Sequence, residues 1–186
     1  MFDLNRNGEE PISRFATIPS RRKKLKGGGV GMKGLVSSLE ISSDGILAAG
    51  TFTRCIGLYS EEGLGDCIAV FSLAGQNFCG EEIDGSGVTQ VIWSPCGRYL
   101  NVAERKSDGL MVYDVRVAGK LLCWLKGRKA NTNQRLGADV IRTSQNYEIW
   151  AGGTDGFIRY WRDPGFHEGS IEATYEWKGH QGKMLP

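Results

Sequence analysis

Groups that catalytic, metal-binding and membrane proteins need are scarce in this sequence of 186 residues. Its two histidines, His167 and His180, have no second His, Cys or carboxylate at metal-ligand spacing. No apolar run approaches the ~18 residues of a membrane span, and no G-x-S-x-G nucleophile motif is present. The five cysteines are unevenly spaced and form no Cys-x-x-Cys pair, which indicates reduced thiols. We therefore expect no enzyme activity, no catalytic residue, no metal, no cofactor and no membrane partner.

Proline is also scarce, whereas glycine is abundant. The chain has 5 prolines and 27 glycines, which is about twice the usual share of glycine. Many glycines with few prolines favour tight turns over a proline-rich linker. Since 40% of the residues are apolar, the composition predicts a globular, all-β chain of many short strands.

A unit of about 50 residues occurs three times. Each copy has an apolar run, a polar turn and a second run of small and apolar residues; the copies are 36–50, 88–103 and 136–153. A third run ending in an aromatic residue follows in each copy, at 56–59, 110–113 and 157–161. A fourth run, rich in β-branched and aromatic residues, follows at 67–71, 120–125 and 171–177. Four strands per unit of this length is the pattern of a β-propeller blade.

This repeat predicts the organisation of the chain as part of one propeller. Residues 1–18 are the end of a preceding blade, which supplies half a blade, and residues 19–33 are a basic, glycine-rich connection. The three complete four-stranded blades are 34–83, 84–130 and 131–178. Residues 179–186 are the start of a further repeat, because Gly179-His180 resembles a repeat opening. We expect a fragment of a longer propeller, since closed propellers have 4–8 blades.

Positive charge is concentrated near the start of the chain. Residues 1–33 hold eight Lys or Arg against three Asp or Glu, whereas the remainder holds fifteen against eighteen. A tract typical of a nuclear import signal or a solvated basic loop contains Arg21, Arg22, Lys23, Lys24 and Lys26. The G-x-G-x-x-G match at 29–34 precedes a strand instead of a helix, which favours a flexible connection over a nucleotide site.

Two polar loops are not needed to build a blade. Residues 104–109 lie between the second and third strands of their blade, and residues 131–135 enter the next blade. Their Arg, Lys, Asn and Gln side chains are suited to RNA, to an acidic protein partner or to inter-blade salt bridges. The sequence leaves open whether the two loops share a rim.

These loops and turns resemble one family. Tyr113-Asp114 is close to the WD dipeptide of WD repeats, and Asp155 matches the inter-strand Asp of that motif. The stretches 48–59, 94–98, 105–108, 113–116 and 132–135 resemble, in order, the telomerase Cajal body WD-repeat family in a fungal form. The resemblance implies a nuclear, non-enzymatic propeller that binds Cajal body or telomerase-type small nuclear RNA. By position it implies RNA contacts from Arg54, Arg105, Lys106 and Arg135.

Two functions therefore remain open. The first is an RNA-binding scaffold of a nuclear ribonucleoprotein, with RNA or ribonucleoprotein components as partners. The second is a protein–protein adaptor like the G-protein β subunit, in the nucleus or the cytoplasm, with a link to messenger RNA splicing. Steep salt dependence of binding would favour the first, and binding that survives Arg105→Ala and Arg135→Ala would favour the second.

Overall fold

Successive antiparallel hairpins build three sheets in the computed structural model, which describes residues 32, 34–78 and 80–180. The first sheet, blade 1, has the strand order β1 (Val36–Ile41), β2 (Leu47–Thr51), β3 (Cys55–Tyr59) and β4 (Cys67–Ser72). A short hairpin of β5 (Asn77–Phe78) and β6 (Glu81–Glu82) then leads to blade 2. Blade 2 consists of β7 (Val88–Trp93), β8 (Tyr99–Glu104), β9 (Gly109–Asp114) and β10 (Leu121–Lys126).

Blade 3 follows the same plan with one interruption. Its strands are β11 (Ala138–Arg142), β12 (Tyr147–Gly152), β13 (Phe157–Arg162) and β15 (Tyr175–Lys178), and β14 (Gly169–Ile171) lies between the last two in the chain. Each blade has four antiparallel strands, and β14 adds a fifth, parallel strand to the sheet of blade 2. These sheets confirm the predicted all-β, blade-type fold. We retain the proposed blade boundaries 34–83, 84–130 and 131–178.

The central position of blade 2 explains why its strand β9 is buried along almost its whole length. Every residue of Gly109–Tyr113 in β9 is buried, whereas buried and partly exposed residues alternate along β12 of blade 3. A sheet that packs on a neighbour with both faces needs apolar residues throughout, and one that packs with a single face needs them at every second position. One apolar core, which includes Ile56, Leu100 and Met111, joins blades 1 and 2, and a second, which includes Leu110 and Trp161, joins blades 2 and 3.

The first hairpin turn of each blade uses the same device. The hydroxyl at the end of the first strand accepts a hydrogen bond from a backbone N–H across the turn; these hydroxyls belong to Ser42, Ser94 and Thr143. Gly45 and Gly97 take positive φ angles of 75° and 68° in the first two turns. A residue with a Cβ is strained in that conformation, which explains the repeated glycine.

One strand departs from the sequence prediction. Residues 171–177 were expected to form the fourth strand of blade 3, but Ile171 belongs to β14, which pairs in parallel with β10 of blade 2. The turn after β13 redirects the chain, because Asp163 has a φ of 49° and is followed by Pro164. The Cys123 thiol donates to the Pro164 carbonyl at 3.4 Å, so the chain returns to blade 2 before β15 begins.

Several predictions lie outside the described residues. These are the half blade at 1–18, the import tract at 21–26 and most of the connection 19–33 and of the repeat start 179–186. Within the described ranges, no helix has the length and apolar character that a membrane crossing requires.

Candidate functional site

The two polar loops lie side by side on one rim of the three-blade array. The Lys106 backbone N–H donates to the Thr132 carbonyl at 3.0 Å, and the Thr154 N–H donates to the Lys129 carbonyl at 2.9 Å. We use the name loop rim for these segments and the turns in contact with them, residues 52–54, 83–87, 104–108, 127–137 and 153–156. The question that the sequence left open is therefore answered by backbone hydrogen bonds.

Arg54 of the loop rim forms a buried ion pair. Its Nε lies 3.0 Å from Oε1 of Glu104, and its Nη2 lies 3.0 Å from Oε2. Nη2 also donates to the Ile83 carbonyl at 3.0 Å. The Arg54 side chain is 15% exposed and that of Glu104 is fully buried. This arginine, which the family resemblance places at an RNA contact, thus joins blade 1 to blade 2.

Burial dominates the electrostatics of Glu104. Desolvation raises the pKa of its carboxyl above the ordinary value, and the hydrogen bonds and positive charge of Arg54 offset only part of that rise. Gly85 lies directly against this carboxyl. A residue with a side chain does not fit there, because a Cβ at position 85 would overlap the Glu104 carboxylate. The pair is therefore enclosed between the strand end and the connection entering blade 2.

Arg105 has a different environment. Its guanidinium carbon lies 4.4 Å from the centre of the Phe52 ring, a cation–π distance. No described residue accepts a hydrogen bond or ion pair from its side chain, and its Nε is buried without a partner. The Arg105 backbone pairs with the connection entering blade 2, donating to the Gly87 carbonyl and accepting from Ser86.

Lys106 and Asp108 shape the turn that follows. Lys106 is exposed and has a φ of 51°, a left-handed conformation that lysine rarely adopts. Asp108 accepts a hydrogen bond from the Ala130 N–H through Oδ1 at 2.6 Å, and its carbonyl accepts from Gly127 and Arg128. The Asp108 carboxylate therefore serves to position the neighbouring connection.

The connection into blade 3 presents its polar residues to solvent. Asn131, Asn133 and Arg135 are exposed, whereas Thr132 is buried and its hydroxyl accepts from the Gln134 N–H at 3.1 Å. The loop rim thus brings together the two loops that contain Arg105, Lys106 and Arg135, and Arg54 contacts Glu104, the residue before Arg105.

Arg128 is a residue that sequence reasoning missed. It is only 1% exposed, and its guanidinium donates to three carbonyls, those of Leu136, Gly137 and Gly152, at 2.7–3.2 Å. Burial lowers the pKa of Arg128 to about 10. Because Arg128-Lys129 looks like any exposed basic dipeptide, nothing in the single sequence distinguished this buried cation from its exposed neighbour.

Asp155, the matched position of the repeat motif, also has a structural contact. It lies 2.6 Å from Nη2 of Arg159, whose Nε contacts Glu176 at 2.7 Å. Burial alone would raise the pKa of Asp155, but the hydrogen bonds and charge of Arg159 outweigh it and the pKa is lowered. Arg159 also donates to the Arg128 carbonyl, which links the end of blade 3 to the loop rim.

A cavity opens beside the basic side of the rim. Aromatic side chains and carboxylates line it together with Lys106, and these residues are Phe78, Trp124, Glu81, Glu82, Asp84 and Asp108. Three of the four carboxylates come from the β5–β6 hairpin and the connection after it. Both signs of charge therefore meet at the loop rim. Across residues 34–78 and 80–180, no group of three or more His, Cys, Asp or Glu side chains is arranged to hold a metal ion.

Comparison with known proteins identifies WD-repeat relatives. No protein-family model matches the chain. It is 33% identical over 164 residues, 87% of its length, to guanine nucleotide-binding protein negative regulator 1 of Schizosaccharomyces pombe. It is 30% identical over 132 residues, 70% of its length, to telomerase Cajal body protein 1 of Mus musculus. The chain spans 37% of the first relative and 22% of the second.

Solved structures show the same fold. The WD40 repeats of RRP9 superpose with a TM-score of 0.59 at 16% identity, covering 81% of this chain and 41% of that one. The structure of U3-55K gives the same TM-score at 17% identity. The computationally designed Ika4 protein has a TM-score of 0.55 and 79% of its chain covered. Identities this low show the architecture and not the activity.

The sequence relatives and the blade architecture agree with the motifs in the loops and turns. The sequence relatives are WD-repeat proteins, and the solved structures that superpose include the WD40 repeats of RRP9. The chain therefore has the WD-repeat fold and is homologous both to guanine nucleotide-binding protein negative regulator 1 and to telomerase Cajal body protein 1, the second being the family that its loop motifs resemble.

Proposed function

We propose that this protein is a non-catalytic WD-repeat scaffold that binds small nuclear RNA, of the Cajal body or telomerase type, through the loop rim. It would act in the assembly or localisation of a nuclear ribonucleoprotein. One observation carries the proposal: the hydrogen bond from Lys106 to Thr132 places the two basic polar loops next to each other. A strand of RNA could then contact both loops at once.

The distribution of partners supports a ligand at these residues. Arg54, Arg128 and Arg159 are satisfied by carboxylates or carbonyls within the fold. Lys106 and Arg135 are exposed, and the Arg105 guanidinium has no polar partner among the described residues. Cations without internal partners are the groups that contact phosphate in protein–RNA interfaces. Arg54 would contribute indirectly, by holding the strand end that precedes Arg105.

Nuclear localisation is part of the proposed function. A homologue is named for the Cajal body, and the tract that contains Arg21, Arg22, Lys23, Lys24 and Lys26 has the composition of a nuclear import signal. We propose nuclear localisation that depends on this tract, with the cytoplasm as the alternative. Substituting the five basic residues by Ala should move a fluorescent fusion from the nucleus to the cytoplasm.

Ultraviolet crosslinking tests the RNA proposal. The full protein would be tagged, crosslinked in cells and purified, and the attached RNA sequenced. Recovery of a narrow set of small nuclear RNAs, lost in a Lys106→Ala, Arg135→Ala double variant, is the expected result. A matched control is Arg142→Ala, which removes an exposed charge from β11 and should leave recovery unchanged. Background RNA in all samples would reject the proposal.

The acidic cavity favours a second candidate function, a protein–protein adaptor. Four carboxylates and two aromatic rings beside Lys106 are suited to a Lys or Arg side chain of a basic protein segment. Under this function, a protein partner recovered with the scaffold would be lost on Glu81→Gln, Glu82→Gln substitution. It would be retained by the Lys106→Ala, Arg135→Ala variant. A link to messenger RNA splicing would then appear in the identity of that partner.

A further inference from the structure

Two arginines of neighbouring blades meet the same short turn of blade 1 in different ways. Arg54 lies at the end of that turn, and its guanidinium donates hydrogen bonds to the Glu104 carboxylate and the Ile83 carbonyl. Arg105, the residue after Glu104, lies over the ring of Phe52 and finds no polar partner in the described part of the chain. Among the described residues, one of the two cations therefore has an ion-pair partner and the other has none.

Contacts of the neighbouring segments hold the Arg105 backbone in place. The Glu104–Arg54 pair fixes the end of β8, and the Arg105 N–H and carbonyl bond to Gly87 and Ser86. Gly87 has a φ of 133°, and a Cβ there would overlap the backbone of Phe52. The connection into blade 2 therefore lies close against Phe52. This close packing fixes the Phe52 backbone beside Arg105, and the Phe52 ring lies 4.4 Å from the guanidinium carbon.

We infer that Arg105, supported by the Phe52 ring, is a stacking platform for a base of single-stranded RNA, with the Lys106 ammonium beside it for a neighbouring phosphate. This inference rests on the proposed RNA-binding function. Planar guanidinium groups and aromatic rings are the surfaces on which proteins stack unpaired bases. A guanidinium that already lies on a ring has lost much of its rotamer freedom, so stacking a base on it costs little further ordering.

The inference separates two contributions to RNA affinity. Contacts to phosphate depend on charge and weaken with salt, whereas stacking depends on the planar shape of Arg105 and on the presence of a base. Arg105→Lys keeps the charge and removes the planar group. Phe52→Leu keeps an apolar contact and removes the supporting ring. Lys106→Ala, the matched control, removes a charge and leaves the platform.

Fluorescence anisotropy with two probes measures these contributions. The probes are a labelled uridine 12-mer, which has little internal structure, and an abasic ribose-phosphate 12-mer of the same length. The wild-type protein should bind the uridine probe about tenfold more tightly, the size of one stacking contact. Arg105→Lys and Phe52→Leu should each reduce this preference to less than about threefold without changing the salt slope for the abasic probe. Lys106→Ala should weaken binding of both probes and keep the preference.

Each result decides between the inference and the function on which it rests. If the wild-type protein binds both probes equally, or if Arg105→Lys keeps the tenfold preference, the stacking platform is wrong while RNA binding stands. If neither probe binds at moderate salt, or if Lys106→Ala and Arg135→Ala leave both affinities unchanged, the proposed function itself fails. Thermal unfolding of Arg105→Lys should match the wild type, which separates a stacking defect from misfolding.

Discussion

The two blade boundaries use similar residues in different electrostatic arrangements. Between blades 1 and 2, Arg54 is paired with a buried carboxylate, and side chains of β1 hydrogen-bond to the backbone of β7. Between blades 2 and 3, Arg128 is surrounded by neutral carbonyls, and Gln90 exchanges two hydrogen bonds with the backbone of Ala138. One boundary contains an ion pair and the other a cation among neutral dipoles.

This difference shows what decides whether an arginine of the loop rim stabilises the fold or is left to contact a ligand. Arg54 and Arg128 both lie in loop-like sequence, yet each is buried against an acceptor from a later segment of the chain, the Glu104 carboxylate for Arg54 and the Gly137 carbonyl for Arg128. Arg105 lies next to Glu104 in sequence but has an aromatic ring in place of an acceptor. The acceptor supplied by the neighbouring segment, and not the local sequence, decides the role of each cation.

Arg54→Met should have the largest effect, since it leaves the Glu104 carboxylate buried without a counter-charge. We expect a loss of about 3–5 kcal/mol in the free energy of unfolding at neutral pH, measured by urea denaturation. The pKa of Glu104 is already raised above its ordinary value of 4.5, chiefly by burial, and losing Arg54 raises it further. Because the pKa of Glu104 is raised in the folded state, its contribution to stability is fully present at pH values below the ordinary pKa of the carboxyl. This contribution is lost as pH rises through the pKa of the folded state. The destabilisation should therefore be small near about pH 4 and grow towards about pH 7.

A double variant controls for the loss of side-chain contacts. Arg54→Met with Glu104→Leu removes both charges and should recover most of the lost stability, with little dependence on pH. A single Arg54→Met variant that loses less than about 1 kcal/mol would contradict the account of this boundary.

Arg128→Met is expected to have an intermediate effect and to sharpen the contrast. Three carbonyls would lose their charged donor, at a cost of about 1–3 kcal/mol in the free energy of unfolding. Because burial lowers the pKa of Arg128 only to about 10, its charge does not change at neutral pH. The loss in the free energy of unfolding for Arg128→Met should thus be constant between about pH 5 and 8. The loss for Arg54→Met, in contrast, should still depend on pH near the lower end of this range. A pH-dependent cost for Arg128→Met over this range would place a titrating partner at the second boundary.

Gln90→Leu should be milder, because neutral hydrogen bonds contribute less. The side chain amide donates to the Ala138 carbonyl at 2.9 Å and its oxygen accepts from the Ala138 N–H at 3.0 Å. We expect a loss of about 1–2 kcal/mol in the free energy of unfolding, measured by thermal denaturation. Ser38→Ala, which removes the acceptor for the Val91 N–H across the first boundary, is the matched comparison. A Gln90→Leu protein as stable as the wild type would show that water replaces this contact without cost.

Lys106→Gly should have the smallest effect on stability. Lys106 is exposed and holds a positive φ, which glycine adopts without strain, so the free energy of unfolding should stay within about 1 kcal/mol of the wild type. The same substitution removes a proposed phosphate contact. Unchanged stability with weakened RNA binding is the expected pair of results, and marked destabilisation would give Lys106 a structural role instead.

The repeated parts of the fold were predictable from the sequence. The 50-residue unit predicted the four successive strands of blades 1 and 2 and the first three of blade 3, and the hydroxyl at the first turn recurs as Ser42, Ser94 and Thr143. The β5–β6 hairpin and β14 occur once each, so no periodicity marked them. The pairing of β14 with blade 2 depends on contacts of Pro164 and Gly165 with that blade. These contacts follow from the packing of the sheets and cannot be read from the sequence.

The candidate site was predictable in location but not in the role of its residues. The loops at 104–109 and 131–135 were identified by their polar composition. Their common rim, however, is set by backbone bonds such as Lys106 to Thr132. The partner of Arg54 is 50 residues away in sequence, and the acceptors of Arg128 are carbonyls, which every residue carries. Side-chain identity alone could not reveal either contact.

The most direct test of the account is the salt dependence of RNA binding by the wild-type protein and the Lys106→Ala, Arg135→Ala variant. If both side chains contact phosphate, the slope of log affinity against log salt should be less steep by about 1.4 in the variant, because each lost contact on a single strand accounts for about 0.7. Affinity at low salt should decrease with it, while thermal stability stays unchanged. Equal slopes and equal affinities for the two proteins would contradict the assignment of the loop rim as an RNA interface.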